Sequence, residues 1–510
     1  MFVRSDNPLG EVLLKEGANY FCLVAPGKIP AGVEVIKRIY DKTPLGSFHD
    51  NEGVKQIFTD LAERFPKKCT FLSVANTFEN REVYALRFST GKLAPAFVFL
   101  GCHHAREWMS VEVPLQLAIE LATSNDPKVA DFLSKYDIWV VPILNPDGHQ
   151  FSIDESRLWR KNRSKQQAST VGVDLNRNYD VHWRGEGASS NSDSDVFCGP
   201  KAFSEFETQW VRDLSTSTPI FGLISYHTFG GLILYPWGYT ASTPPFEDKL
   251  AKIARGMAAL SGPAKSRDTE FDYKPDQAAG LYEAAGECTD YLFLNHGTIG
   301  FTVELGPSYG SFVNESSEIE PTLKQVMPFN YYLMDAVPKD FCILYGRVTD
   351  AYGNPVTTKV RVSGLFSNIK IDPETGRFFH VLPIGKTFVI TYDKQGKEDK
   401  RQLDLKGMLN YLPIVIGRSE NLSLKGHLLG DDYKVITGKV TLLNVQKQKI
   451  GEGNQDGSYN FKNLAPGIYT LSAPRDDLPP QIFTLELSKD LELDMRVLYP
   501  KTQAAIIDKN

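Results

Sequence analysis

Up to about residue 340 the chain alternates between runs that read as strands and stretches that read as helices, and this restricts the fold more than any other feature. The strand-like runs are Cys69–Val74, Glu82–Phe88, Phe97–Leu100, Tyr136–Gly148, Ile220–Tyr226 and Gly300–Leu305. Ahead of them, Asn51–Phe65 puts Val54, Ile57, Leu61 and Phe65 on one helical stripe, and among them residues 110–122, 203–214 and 246–260 carry further helical patterns. Apolar strands interleaved with helices predict an α/β fold, a mixed central sheet covered by helices on both faces.

Near residue 340 the composition shifts to Val, Thr, Tyr and Gly-containing turns, with no long helix, and the pattern repeats. Gly376, Phe378, Leu382 and Gly385 are answered about 80 residues later by Gly457, Tyr459, Leu464 and Gly467. Two small antiparallel β-sandwich domains are expected, over 342–419 and 420–500, after an N-terminal arm at 1–47 and an α/β domain at 48–338. Neither copy clusters His, Cys or paired carboxylates, so a scaffold or contact role is expected of both.

A chain of 510 residues is long enough for about two to four domains. Its formal charge of −6 is mild, which argues against nucleic acid as the main partner and against a polybasic membrane patch. No run approaches the length of a membrane-spanning helix, and the first residues lack the apolar core of a signal peptide. The expectation is a cytoplasmic protein or a secreted one without its leader. Cys22, Cys69, Cys102, Cys198, Cys288 and Cys342 form no CxxC pair, which argues against a cysteine zinc site. Cys102, among apolar neighbours, reads as a buried structural thiol.

The candidate chemistry centres on Gly101–Ser110, GCHHAREWMS. His104 and Glu107 can reach one metal ion if the backbone turns there, and the strand before them puts the loop at the carboxyl end of a sheet. That spacing is common by chance, so further ligands decide. His227, ending the run in FGLISYHT, is the best third ligand among nine histidines. His49, His149, His296, His380 and His427 lie in turns or in the wrong domain, His103 is expected to point away, and His182 lies in a polar loop. A metal-bound His usually gives its other ring N–H to a carboxylate. Asp147 in LNPDG is a candidate for that part, an ordinary turn aspartate being the alternative. Asn176 and Arg177 in VDLNRN offer charge-assisted hydrogen bonds to a carboxylate. Arg160 in RLWRKNR is either aimed into a cleft or part of a solvated basic loop. Glu304 in GFTVELG would be costly to bury without a partner and suits a general base.

Together, HHAREW, LNPDG, RLWRKNR, VDLNRN, SYHT, Tyr282 and TVEL stand in the order and approximate spacing of the zinc metallocarboxypeptidases. Over about residues 48–338 the chain resembles the A/B/T-like members of that family. The resemblance implies one zinc ion per catalytic domain, held by His104, Glu107 and His227, the His₂Glu set of carboxypeptidase A. It implies Glu304 as general base toward a zinc-activated water, and Arg160 as the group that stabilises the oxyanion. Asn176, Arg177 and Tyr282 would grip the free terminal carboxylate, and Arg106 would bind substrate further upstream. The implied partner is the C-terminus of a peptide or protein, with no nucleic acid and no membrane span, and the implied state is a monomer. The tail resembles transthyretin-like or regulatory modules that accompany some of these enzymes, implying protein or surface contacts through the sandwiches.

Side-chain preference is less defined. Thr289 falls where basic-specific relatives place an acid and apolar-specific ones an aliphatic residue, while Glu287 is close enough in sequence to meet a Lys or Arg. A broad or mixed preference is expected, with Glu287 admitting basic residues and the Thr289 and Thr302 region neutral ones. Phe229 stands where many relatives have Tyr, and Cys198 has no evident disulfide partner. The alternatives are the same chemistry on another amide, such as a cell-wall peptide, and a catalytically silent binding module.

Overall fold

The computed structural model describes residues 48–497 except short segments at 168–169, 262–263, 267–268, 307–310, 351–352, 366, 393–397, 417–421, 445–446, 465–466, 476–477 and 488, together with strands at 2–5, 20–23 and 34–35. Those three strands pair antiparallel as a small sheet of the N-terminal arm.

The α/β region runs through α1 (Asn51–Arg64), β1 (Thr70–Asn76), β2 (Glu82–Phe88), β3 (Ala96–Leu100), α2 (Met109–Thr123), α3 (Pro127–Lys135), β4 (Asp137–Val141) and α4 (Pro146–Asp154). It continues with α5 (Phe206–Ser217), β5 (Ile220–Thr228), β6 (Leu232–Tyr235), α6 (Glu247–Ser261), β7 (Lys274–Gln277), α7 (Cys288–His296), β8 (Ile299–Leu305) and α8 (Ile319–Asp340). The strands form one eight-stranded sheet in the order β7-β6-β8-β5-β3-β4-β2-β1. Its centre, β8-β5-β3-β4, is parallel, and the outer pairs β6·β8, β2·β4 and β1·β2 are antiparallel. The sheet is mixed, as expected.

Both faces are covered, which is why the central strands are apolar throughout. Along β3, Phe97 and Phe99 face the core built with α1, α2, α6 and α8, while Ala96, Val98 and Leu100 face the one built with α5 and α7. The expected strand at Tyr136–Gly148 is shorter than its apolar run. It stops at Val141, because Asn145 accepts a hydrogen bond from Gly148 N and Pro146 opens α4 at its first turn.

Beyond α8 come two pairs of small sheets. The first unit has three-stranded sheets around Cys342, Leu344, Val348, Phe378 and Val389; the second has four-stranded sheets around Leu424, Leu428, Tyr459 and Leu471. Gly376 and Gly457, matched in the sequence repeat, both have positive φ, +70° and +85°. Antiparallel pairing dominates, but each unit also holds a parallel pair, Phe341–Asp350 with Leu409–Ile416 and Leu422–Leu429 with Leu491–Glu492. Parallel pairs need a long crossover, and here the chain makes it through the opposite sheet of each unit.

The first unit is fused to the α/β core. Phe341, Ile343 and Val381 belong to the same apolar cluster as α2 and α8. At this junction His296 stacks on Phe379 at 5.4 Å, and its Nε2 lies 3.2 Å from Ser215 Oγ. Burial, with His380 and Lys370 nearby, pulls His296 down to about 3, and burial pulls His380 down to about 4. Both rings are therefore neutral when folded, and their contribution is complete above about pH 6.5 and lost as pH falls toward those values. Denaturant unfolding at pH 7 and pH 5 is expected to show a loss of up to about 2 kcal/mol per histidine. His380→Leu should flatten that difference; an unaltered pH slope in the variant contradicts the assignment.

Candidate active site and metal centre

β3 ends at Leu100 and the chain turns at once. A Cβ on Gly101 would lie 2.2 Å from Ser110 O and 2.5 Å from Pro142 O, so only glycine permits the turn. Ser110 Oγ accepts Cys102 N and donates to Glu107 O, tying the loop to the start of α2. His104 and Glu107 thus sit in a loop ahead of the helix rather than in its first turn. His227 lies near the end of β5, the strand next to β3, and Glu304 is its register partner on β8. Four candidate residues so converge from three adjacent parallel strand ends.

The ligand atoms of His104, Glu107 and His227 all lie within 4.8 Å of one another, and all three side chains are buried. His104 Nδ1 is 2.7 Å from Glu107 Oε1, His227 Nδ1 is 3.0 Å from Glu107 Oε2, and the two Nδ1 atoms are 3.1 Å apart. Two imidazole nitrogens and a carboxylate aimed at one point form a donor set that fits zinc. Burial opposes the charge on Glu107, but His104 and His227 outweigh it and hold the carboxyl well below its usual range.

The far nitrogen of each histidine faces a side-chain oxygen. His104 Nε2 lies 3.2 Å from Asp174 Oδ1, and His227 Nε2 lies 3.0 Å from Ser225 Oγ. Asp147 does not take this part. It stands in the first turn of α4, where it accepts Glu79 N and pairs with Arg81 at 3.0 Å. The carboxylate comes from VDLNRN, two residues before Asn176, a signal the sequence contains. His103 does turn from the ligand cluster, as expected. Its Nδ1 meets Ser225 Oγ at 3.2 Å and its Nε2 meets Tyr179 OH at 3.1 Å, while its ring stacks on His227 at 5.4 Å.

Asp174 also holds Arg160. The guanidinium reaches Asp174 Oδ2 through Nε and Nη2, both at 2.9 Å. Burial raises Asp174, yet Arg160 and His104 win and keep it well below the usual carboxylate range. Asn176 and Arg177 lie on the short 3₁₀ turn Leu175–Arg177, capped by Asp174 through Asn176 N. Asn176 Oδ1 accepts Cys288 N, and Arg177 Nη1 donates to Asn176 O at 2.7 Å. Tyr282 is half exposed, with its ring 5.9 Å from the Arg177 guanidinium.

Glu304 is half-buried, and its carboxyl is pushed well up, by burial first and then by Glu107. Glu287 lies 3.4 Å from Arg177, and burial raises it too. A Cβ on Gly238 would meet Glu287 Oε2 at 2.2 Å, so glycine is what admits that carboxylate. Behind it Asp290, which the sequence reading missed, accepts Gly238 N and Tyr239 N. Thr289 and Thr302 are buried, and Thr302 is the register partner of Ser225. Arg106 stands further out, over the Phe312 ring at 4.0 Å and 3.4 Å from Asp195. Among the described residues Cys102 and Cys198 are free and buried, and no helix is long and apolar enough to cross a membrane.

Comparison with known proteins agrees with this geometry. A family model described as zinc carboxypeptidase matches residues 54–329. Carboxypeptidase A4 of Mus musculus is 34% identical over 291 residues, 55% of this chain and 68% of that protein. Carboxypeptidase B of Astacus astacus is 31% identical over 284 residues, 54% of this chain and 92% of that protein. Among solved structures, bovine thrombin-activatable fibrinolysis inhibitor in complex with tick carboxypeptidase inhibitor matches with a TM-score of 0.53 at 28% identity, covering 57% of this chain and 98% of that one. The carboxypeptidase A from Helicoverpa armigera matches with a TM-score of 0.51 at 27% identity, covering 59% of this chain and 76% of that one. Sequence and fold therefore agree over the same region, and the chain belongs to the zinc carboxypeptidase family as a zinc metallocarboxypeptidase, a hydrolase.

Proposed function

We propose that residues 48–338 remove C-terminal amino acids from peptides or proteins, with His104, Glu107 and His227 holding one zinc ion. The observation that carries this is the convergence of that ligand set with Glu304, while Arg160 and Arg177 stand buried on the flanking segment. When bound, zinc supplies Lewis-acid chemistry, polarising an oxygen and making water more acidic. Glu304 takes the proton from the attacking water and returns it to the leaving amine. Arg160, fixed by Asp174, donates to the oxygen that becomes negative in the transition state. Arg177, Asn176 and Tyr282 hold the terminal carboxylate, and Arg106 contacts the peptide upstream. The units at 342–419 and 420–500 act as scaffold and contact surface, and 1–47 as an arm.

The side-chain preference is mixed. A basic terminal side chain competes with Arg177 for Glu287, whereas a neutral one leaves the pair intact and packs toward Thr289 and Thr302. Relatives named carboxypeptidase A and B match at 34% and 31% identity, so overall likeness does not choose between the two preferences. Glu287→Gln should lower kcat/KM for terminal Arg by roughly 10- to 100-fold and leave terminal Leu largely unaffected. Equal losses on both contradict the preference; no release of either residue by the zinc-loaded wild type contradicts the reaction.

A further inference from the structure

The two arginines of the site stand on segments joined through two short strands, Lys165–Gln167 and Thr170–Val171, that pair antiparallel. Arg160 lies within a loop, and Arg177 closes a 3₁₀ turn. Besides Asp174, which pairs with Arg160 and caps the turn of Arg177, a buried polar knot at the start of α5 ties them together. Asn162, two residues after Arg160, accepts Val173 N at 2.8 Å, and Asn162 N donates to Val173 O, next to Asp174. Its Nδ2 donates to Glu205 Oε2 at 2.7 Å and reaches Glu207 Oε1 at 3.4 Å. Asn178, directly after Arg177, accepts Thr208 Oγ1 at 2.7 Å and Glu205 N at 3.3 Å. Its Nδ2 donates to Cys198 O, Lys201 O and Ser204 Oγ, and Ser204 Oγ in turn donates to Glu205 Oε1 at 2.6 Å. All these side chains except half-buried Ser204 are buried.

We propose that the Glu205–Glu207 pair, acting through Asn162 and Asn178, is a positioning centre that sets the two guanidinium groups of the site relative to each other. The inference rests on the roles assigned to Arg160 and Arg177 above. The residues of the knot touch no substrate; they act through the segments they hold.

Two carboxyl groups on one amide nitrogen cannot both be charged at low cost. Those facing Glu207 are Glu205 on its own segment, Asp147 of α4 and the Tyr179 hydroxyl, and Asp147 is itself paired with Arg81. Burial, then Glu205, pushes the Glu207 carboxyl up to about 8. Glu207 therefore keeps its proton at neutral pH in the folded protein. A carboxyl raised in this way costs stability as pH climbs from its unfolded range toward 8, and above 8 the second charge loosens the knot. Turnover is expected to fall as pH rises through about 8 for this reason.

The test uses the full zinc-loaded chain with steady-state kinetics across pH 6–10. Asn162→Ala should lower kcat by about 10- to 100-fold, since about 1 Å of misplacement can cost that much. Asn178→Ala should act mainly on KM. Glu207→Gln keeps the hydrogen-bonding pattern of the protonated acid and is the mild variant; its alkaline fall in kcat should move to higher pH. Arg160→Ala is run alongside and should lower kcat by about 10²–10³. If Arg160→Ala has that effect while the knot variants change only the melting temperature, with kcat, KM and pH profile as in wild type, the positioning centre is overturned and the role of Arg160 stands. If Arg160→Ala leaves kcat unchanged, the role of that arm fails and the inference fails with it.

Discussion

Replacing Glu304 by Gln is expected to lower kcat by about 10²–10⁴ while leaving fold and zinc content as they are. The substitution keeps size and hydrogen-bonding shape and removes only the ability to accept and return a proton. Glu304 stands in register with His227 on the adjacent parallel strand, so its place is set by the sheet rather than by a loop. Its environment, half-buried and beside Glu107, disfavours charge on the free protein, and a bound dication favours it. The carboxyl is therefore placed to take up and release a proton during turnover. KM should change little, because the grip on the substrate carboxylate is assigned to other residues. Steady-state kinetics with metal analysis checks this, and wild-type turnover in a zinc-loaded Glu304→Gln protein contradicts it.

The second large effect is expected at Glu107. Its two oxygens serve His104, His227 and the Thr228 amide at 2.7, 3.0 and 3.2 Å. Glu107→Gln removes the one anionic member of the proposed ligand set and leaves a neutral amide in its place. Loss of a mere partner to a ligand typically costs about 10- to 100-fold in metal affinity, and loss of the ligand itself should cost more. Zinc that binds only the folded chain also stabilises it. The wild type should therefore melt higher with zinc in excess, and the variant should show neither that shift nor turnover. A Glu107→Gln protein that retains one zinc per chain after dialysis contradicts the ligand assignment.

Much of this site is legible in the sequence, for physical reasons. His227 and Glu304 each end an apolar run, and strand ends in an α/β sheet are where side chains can meet above the edge. The HxxE loop follows a third such run. What the sequence does not reveal is which of several acids or donors the chain brings home. Asp147 and Asp174 both follow apolar residues by a short step, yet Asn145 and Pro146 turn Asp147 into α4, and the 3₁₀ turn brings Asp174 under His104. Glu205 and Glu207 sit at the head of a helix, where acids are ordinarily solvated, and are buried because the Arg160 and Arg177 segments fold over them. The junction with the first C-terminal unit is similarly hidden: Ile343 and Val381 read as sandwich residues but share the core of α2 and α8. Local pattern specifies elements; the partners of buried polar groups are chosen by tertiary packing.

On the proposed reading a metal site and a carboxylate clamp act on the same substrate end. The most direct measurement compares two blocked peptides of identical sequence, one with a free terminal carboxylate and one amidated, using protein with one zinc bound per chain. Release of the terminal residue from the free acid, with the amide cleaved at least about 100-fold more slowly because Arg177 then has no substrate carboxylate to bind, is the predicted result. Equal cleavage of both peptides, or cleavage of neither, would contradict it.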